Sequence, residues 1–239
     1  MSIPAGLIRS IQVGLPRTEQ AGCTDDQRPG PWTSGIFKFS VIGPIWLGRQ
    51  NLYGDGQADL VHHGGLDKAL CAYSADHWPD WQGILPSDQL VGGAFGENFT
   101  LEGLTETEVC IGDRFSVGSA VIQISQPRQP CWKLARRWRI KDLAVQVERT
   151  GFTGWYFRVL QEGTVEAKDR LRLIDRPCPE WTVAAANRTM RHERDNRTAA
   201  ERLSLCPFLS SSWQETMRQR SQNQAEPNPQ HRRLGRHPS

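Results

Sequence analysis

The residue in this chain best suited to chemistry is a cysteine that follows two closely spaced prolines. Cys131 ends the run Gln126-Pro127-Arg128-Gln129-Pro130-Cys131, directly after an alternating apolar stretch that reads as a buried strand. Proline fixes φ and removes an N–H donor, so Pro127 and Pro130 make a rigid loop that holds the sulfur still. Arg128 and Lys133 bring positive charge to either side of it. Such charge favours the thiolate, the form that binds metals or attacks electrophiles. On these residues alone, a small buried hydrophobe at the start of a helix is an equal reading of Cys131.

Two further segments have polar groups set among glycines. Residues 61 to 69 place His62, His63 and Lys68 around the pair Gly64-Gly65. Paired glycines let backbone N–H groups approach an anion and His or Lys adds charge, so a phosphate or a polar ring edge suits this segment. Neighbouring histidines on a strand would face opposite sides, which speaks against a shared metal, and a polar turn with one packed histidine accounts for them equally well. Residues 92 to 100 surround Phe95 with Gly92, Gly93, Ala94 and Gly96 and then offer Glu97 as an acceptor and Asn98 as an amide. Asn98 could read a heterocycle edge by donating and accepting at once, although a glycine-rich turn is the plainer account.

Strands must carry these segments. From residue 36 to about 175 the chain reads as short strands broken by glycine and proline turns, beginning with Ile36 to Val41. Phe115 and Val117 alternate with polar residues, Gly118-Ser119 turns, and Ala120, Ile122 and Ile124 resume the alternation of a half-buried hairpin. A second pair is expected from Trp155 to Leu160, turning at Glu162-Gly163 and returning through Val165 to Leu171–Ile174. Many short strands joined by tight turns suggest a barrel or a sandwich. Two helices interrupt them, a short one near Asp76 to Leu85 limited by Pro79 and a better one from Ile140 to Thr150 ending at Gly151. After Pro177-Cys178-Pro179 the period becomes helical, with segments around Val183 to Arg191, Thr198 to Leu205 and Ser212 to Arg220. Thr198-x-x-Glu201 and Ser212-x-x-Glu215 have the capping-box pattern. The expected domains are residues 1–177, a small three-helix module at 178–220, and a disordered basic tail at 221–239, poor in apolar residues.

The composition, 38% hydrophobic and 23% charged with 22 Gly and 15 Pro, belongs to a turn-rich globular protein. No apolar run reaches the ~20 residues of a membrane span and the first residues do not have a signal peptide's pattern, so no membrane partner and a cytoplasmic location are expected. Six cysteines, at 23, 71, 110, 131, 178 and 206, have neither zinc nor iron–sulfur spacing. The net charge of +3 is too small to argue for a nucleic-acid polymer, and none is expected as partner, but its distribution is uneven: residues 188–239 carry +5 and the rest −2.

Taken together, the motifs resemble a known family. His62-His63-Gly64-Gly65-x-x-Lys68-Ala69, Gly93-Ala94-Phe95-Gly96-Glu97-Asn98-Phe99, Gly103-Leu104-Thr105 followed by Ile111-Gly112-Asp113, and Gln126-Pro127-Arg128-x-Pro130-Cys131 look like the MOSC domain, the molybdenum-cofactor sulfurase C-terminal type, in its bacterial YiiM subfamily. The resemblance covers residues 30 to 220 and implies a mainly β fold, a MOSC-type β-barrel with a few helices followed by the three-helix module. It implies a molybdenum cofactor (molybdopterin), with Cys131 as the metal ligand, and no pyridoxal phosphate. It also implies a reductase that cleaves the N–O bond of a small N-hydroxylated compound, such as an N-hydroxylated purine or an amidoxime, with two electrons and two protons and release of water. By the same resemblance Arg128 would tune the cofactor, His62, His63, Gly64, Gly65 and Lys68 would meet its anionic or pterin edge, and Phe95, Gly96, Glu97 and Asn98 would lie near pterin or substrate. Electrons would come from a separate reductase, a flavoprotein or iron–sulfur protein, for which the basic helical module is a candidate dock. A homodimer is compatible with this reading but not required by it. The alternative is a carrier of sulfur or of the cofactor, using Cys131 without redox turnover.

Overall fold

In the computed structural model, which describes residues 5–20, 30–225 and 232–233, seven strands close into a barrel. The strands among the described residues are β1 (Ala5–Val13), β2 (Arg17–Glu19), β3 (Trp32–Ser34), β4 (Phe39–Ser40), β5 (Ile45–Leu47), β6 (Leu70–Ser74), β7 (Phe99–Glu102), β8 (Arg114–Val117), β9 (Ala120–Pro127), β10 (Trp155–Gln161), β11 (Gly163–Val165) and β12 (Arg170–Asp175). The ring runs β12-β8-β9-β10-β6-β7-β1 and closes by pairing β1 with β12, while β4 pairs with β1 outside it. A closed ring must reverse direction an even number of times, so seven strands need a parallel pair, and β6 with β7 is that pair. Parallel neighbours need a long crossover, which here includes the two short helical turns at Ala75–His77 and Trp78–Trp81.

Alternation fills the barrel. Phe115 and Val117 of β8, Ile122 and Ile124 of β9, Phe157 and Val159 of β10 and Leu171 of β12 are buried in one core with Ile8, Ile11, Phe99 and Leu101. Phe115 and Phe157 meet edge to face across it, with ring centroids 6.3 Å apart. A second apolar cluster joins Tyr73 and Phe95, stacked at 4.0 Å, to Trp81, Leu134, Leu143 and Val147. Strand β6 serves both clusters: Leu70 and Ala72 belong to the barrel core, and Tyr73 belongs to the second.

The helices are α1 (Leu60–His63), α2 (Trp78–Trp81), α3 (Trp132–Trp138), α4 (Leu143–Thr150), α5 (Val183–Arg191), α6 (Arg197–Ser204) and α7 (Ser211–Ser221). The last three form the expected module, and it shares the barrel's core: Val183, Ala186, Leu203, Trp213 and Met217 belong to the same buried cluster as the strands. Backbone bonds tie the two together, from Ile111 N to Trp181 O at 2.8 Å and from Ser210 N to Ser125 O at 2.9 Å.

Several expectations are corrected. Strand β1 went unread, because a bulge between Ile8 and Ser10 breaks its alternation. The strand expected from Ile36 to Val41 narrows to Phe39–Ser40. β10 and β12 do not form a hairpin; β11, between them, leaves to pair with β5, and β12 pairs with β8 and β1. The helix expected from Asp76 to Leu85 shrinks to α2, with Pro79 near its start, and α4 starts at Leu143, three residues later than expected but ending at Gly151 in the left-handed conformation as expected. Neither capping box forms: the side chain of Asn196 accepts from Ala199 N and caps α6, and α7 starts after Ser210 without a side-chain cap. Ser221 closes α7, and of the expected tail the residues 226–231 and 234–239 lie outside the described residues. Arg232 and Arg233 are described, and with Arg191 they surround the buried carboxylate of Glu148 at 2.5, 2.6 and 3.1 Å. No helix among the described residues is long and apolar enough to cross a membrane.

Because Trp213 carries the module into the shared core, Trp213→Ala is expected to cost ~3–5 kcal/mol in urea unfolding, typical of a buried tryptophan. A loss below ~1 kcal/mol would show that the module rests on the barrel without sharing its core.

Candidate functional site

Strand β9 delivers the cysteine. It pairs with β10 as far as Pro127 opposite Trp155, and Arg128 N extends the ladder to Gly154 O at 3.0 Å. The segment expected as a rigid loop from Gln126 is thus strand at its start. β8 stops opposite Gln123 and, beyond the bonds of Ile124 to Gly112 and Asp113 and of Ser125 O to Ser210 N, β10 is the one strand that follows β9 to its end, which accommodates a residue without an N–H at Pro127. Gly154 is required there: its φ is +71° and a Cβ would stand 2.2 Å from Ala72 O. Beyond Pro130, Cys131 occupies the N-cap position of α3.

A cleft of about 590 Å³, counted out to its open mouth, lies at this strand end. Of the expected site residues, His63, Lys68, Gly96, Asn98, Arg128 and Cys131 line it. Cys131 is 7% exposed, and burial pushes its thiol up. The hydrogen bond and charge of His63, a backbone N–H at Lys133 and the charge of Arg128 together outweigh burial and bring the pKa down to about 6. Arg128, itself 7% exposed, donates from Nη2 to Phe95 O at 2.6 Å, and its Nη1 is buried with no hydrogen-bond partner among the described residues. Lys68 donates to His62 O at 2.8 Å and loses basicity chiefly through burial, against which Asp67 and Asp59 act. The Gly64-Gly65 turn makes this possible, with Gly65 at φ +96° and Lys68 N bonded to Gly65 O at 2.9 Å.

The structure gives other expected residues a supporting place. His62 is 76% exposed on α1 and pairs with Asp59 at 2.9 Å, away from the cleft lining. Glu97 is fully buried and accepts from Gly93 N at 2.7 Å, Phe95 N at 2.9 Å and Thr100 Oγ1 at 2.8 Å, so it organises the glycine turn. Phe95 packs in the second cluster and presents only its carbonyl to Arg128. Asn98 borders the cleft, but its amide is taken by protein: Cys71 N donates to its Oδ1, and its Nδ2 donates to Gln12 O and to Asp55 Oδ2. It therefore ties β6 to Asp55 and has little left for a heterocycle edge.

Lys133, expected to bring charge to the cysteine, lines the cleft, and sequence reasoning missed Lys38, Asp55, Cys71 and Tyr156 as cleft residues. Asp55 stands in the turn Gly54-Asp55-Gly56 and Lys38 interrupts the apolar run Ile36-Phe37-Lys38-Phe39, the only signals either carries. Cys71 and Tyr156 share the lining with Cys131, yet burial raises both, Cys71 to about 11. Among the described residues no three His, Cys, Asp or Glu side chains gather to hold a metal ion. The cleft therefore offers one anionic sulfur, a surplus of cations and an unsatisfied guanidinium N–H. That donor set fits an anionic group that brings a metal with most of its other ligands.

Two family models match the chain, a MOSC domain over residues 59–172 and a YiiM-like 3-alpha helix domain over residues 181–224. The uncharacterized protein YflK of Bacillus subtilis (strain 168) is 49% identical over 180 residues, which are 75% of this chain and 81% of that protein. A reductase of Gibberella moniliformis is 36% identical over 165 residues, 68% of this chain but 29% of the reductase. Among solved structures, that of YiiM from Geobacillus stearothermophilus aligns with a TM-score of 0.74 at 40% sequence identity, covering 90% of this chain and 99% of that one.

In cofactor-free protein, alkylation of Cys131 by iodoacetamide should rise with pH through a midpoint at about 6, whereas Cys71 and Cys110, both raised to about 11, stay unreactive at neutral pH. His63→Ala removes a group that stabilises the thiolate, so the Cys131 midpoint should move upward. A midpoint unchanged in this variant would show that His63 does not hold the sulfur.

Proposed function

The chain belongs to the MOSC domain family, with the YiiM-like three-helix module after its barrel, and we propose that it is a molybdenum-cofactor-dependent reductase of N-hydroxylated compounds. The observation that carries the reading is a cleft lined by both the buried Cys131, whose thiol pKa is held down against burial to about 6 by His63, the Lys133 N–H and Arg128, and Arg128 with its unsatisfied Nη1. A reductase among the similar proteins points the same way.

In this reading Cys131 is the protein's ligand to molybdenum. A soft thiolate is a suitable donor, and its low pKa means no proton need be displaced at neutral pH. Arg128 lines the same cleft with an unpartnered N–H, and its charge, which already favours the thiolate, balances negative charge gathered there. Lys68 and Lys133 add positive charge around the cleft and suit the phosphate of a molybdopterin. When bound, the cofactor supplies the two-electron reduction that breaks the N–O bond. His63, hydrogen-bonded to Cys131, is the histidine in the described lining of the cleft and the residue best suited to pass a proton to the departing oxygen. Electrons come from a separate donor protein, with the arginine-rich helical module as its dock.

Protein purified from molybdenum-replete cells should contain near-stoichiometric molybdenum and pterin and reduce an amidoxime when given a reductant. Cys131→Ala should lose both the metal and at least ~99% of the activity while keeping its thermal unfolding profile. A metal-free wild-type protein with labile sulfur on Cys131 would instead mark a sulfur carrier.

A further inference from the structure

Part of the cleft lining has no role in the proposed function: Ser34 at the end of β3, Ile36 and Lys38 from the segment between β3 and β4, and Asp55 and Gln57 from the turn after β5. Glycines bring these segments together. A Cβ on Gly35 would lie 2.3 Å from Gly56 O, one on Gly14 would lie 2.2 Å from Phe37 O, and Gly56 N donates to Gly14 O at 3.2 Å. Any side chain at Gly14 or Gly35 would push the segments apart. Their close approach sets up an ion pair between Lys38 and Asp55, with side chains 5% and 1% exposed. A buried ion pair gains little net stability over apolar packing, because both charges lose their water. One that borders a cleft has groups to offer a ligand.

Asp55 Oδ1 accepts from Gly14 N and from Lys38, and Oδ2 accepts from Asn98 Nδ2 at 2.9 Å. A carboxylate has about four acceptor sites, so about one is left, on Oδ2. An ammonium has about three N–H donors, and Lys38 makes one hydrogen bond among the described residues, to Asp55. The pair thus sets an acceptor beside charged donors at the wall of the cleft.

The geometry points to Lys38 and Asp55 as a recognition subsite for a ligand edge that carries an N–H donor next to a nitrogen or oxygen acceptor. An amidine, an aminopyrimidine and a cyclic amide all have this edge. The subsite rests on the proposed function, under which two ligands present such an edge: the N-hydroxylated substrate and the pterin ring. Asp55 Oδ2 takes the N–H, and Lys38 donates to the neighbouring acceptor.

The test compares wild type with Asp55→Asn and with the double variant Lys38→Met/Asp55→Asn, which removes both charges together and leaves no lone buried charge. Each purified protein is assayed for pterin and molybdenum, and for KM and kcat with benzamidoxime and with N,N-dimethylbenzamidoxime, which has no N–H. If the edge belongs to the substrate, cofactor content holds and KM for benzamidoxime rises ~10-fold or more in both variants, while in Asp55→Asn, which keeps Lys38, KM for the dimethyl compound does not move because it has no N–H for Asp55 to take. If it belongs to the pterin, cofactor content falls ~10-fold or more at an unchanged melting temperature. Variants that keep the cofactor and treat both substrates as wild type does would overturn the subsite and leave the reductase standing. Double-variant protein that loses cofactor only because it unfolds would assign the pair to stability and equally overturn it. Wild-type protein without molybdenum or pterin would overturn the reductase and the subsite with it.

Discussion

Burial and charge oppose each other at Cys131, and much of the local structure exists to settle that opposition in favour of charge. A thiol at 7% exposure should be harder to ionise than in water, as Cys71 is in the same cleft. Cys131 ionises more easily because His63 and Arg128 come to it from different parts of the chain, α1 and the end of β9. Arg128 must itself be held in a buried position, and the carbonyl of Phe95 holds it. Phe95 in turn depends on Glu97, which accepts from the turn's backbone, and on the stack against Tyr73. Two thiols in one cleft are thus pushed in opposite directions, Cys131 down to about 6 by its neighbours and Cys71 up to about 11 by burial.

The barrel makes this arrangement possible through β6 and β9. β6 is buried along its whole length and forms the parallel pair that an odd ring requires, so its residues meet the barrel core, the cleft and the second cluster. β9 outruns β8, and its end, still laddered to β10, carries Arg128 and Cys131 to the cleft. The three-helix module supports the same strand from outside, because Ser210 N bonds to Ser125 O. On the other side of the loop, Arg232 donates to Pro130 O while it pairs with Glu148.

What could be read from the residues alone was whatever has a local period or a motif. The β8–β9 hairpin and α5 follow from alternation and from helical spacing, and Cys131 with Arg128 from a proline-rich motif. β1 was hidden because its bulge buries Ile8, Ile11 and Gln12 at irregular spacing. The pairing of β11 with β5 was hidden because nothing local marks a strand that leaves its neighbours for a segment more than a hundred residues away. Lys38 and Asp55 were hidden for a similar reason: each is one polar residue in an ordinary stretch, and only the approach of three glycine-bearing segments makes them a pair. The helical capping pattern misled because Ser and Thr near a helix start are frequent, and the chain entered α6 two residues before Thr198, through Asn196.

The central claim is that the Cys131 sulfur binds molybdenum, and X-ray absorption at the molybdenum edge tests it most directly. The wild-type spectrum should contain one sulfur neighbour per molybdenum beyond those the pterin contributes, and in any metal retained by Cys131→Ser that neighbour should be replaced by oxygen. A wild-type spectrum with only the pterin's sulfurs, or one unchanged by the substitution, would contradict the account.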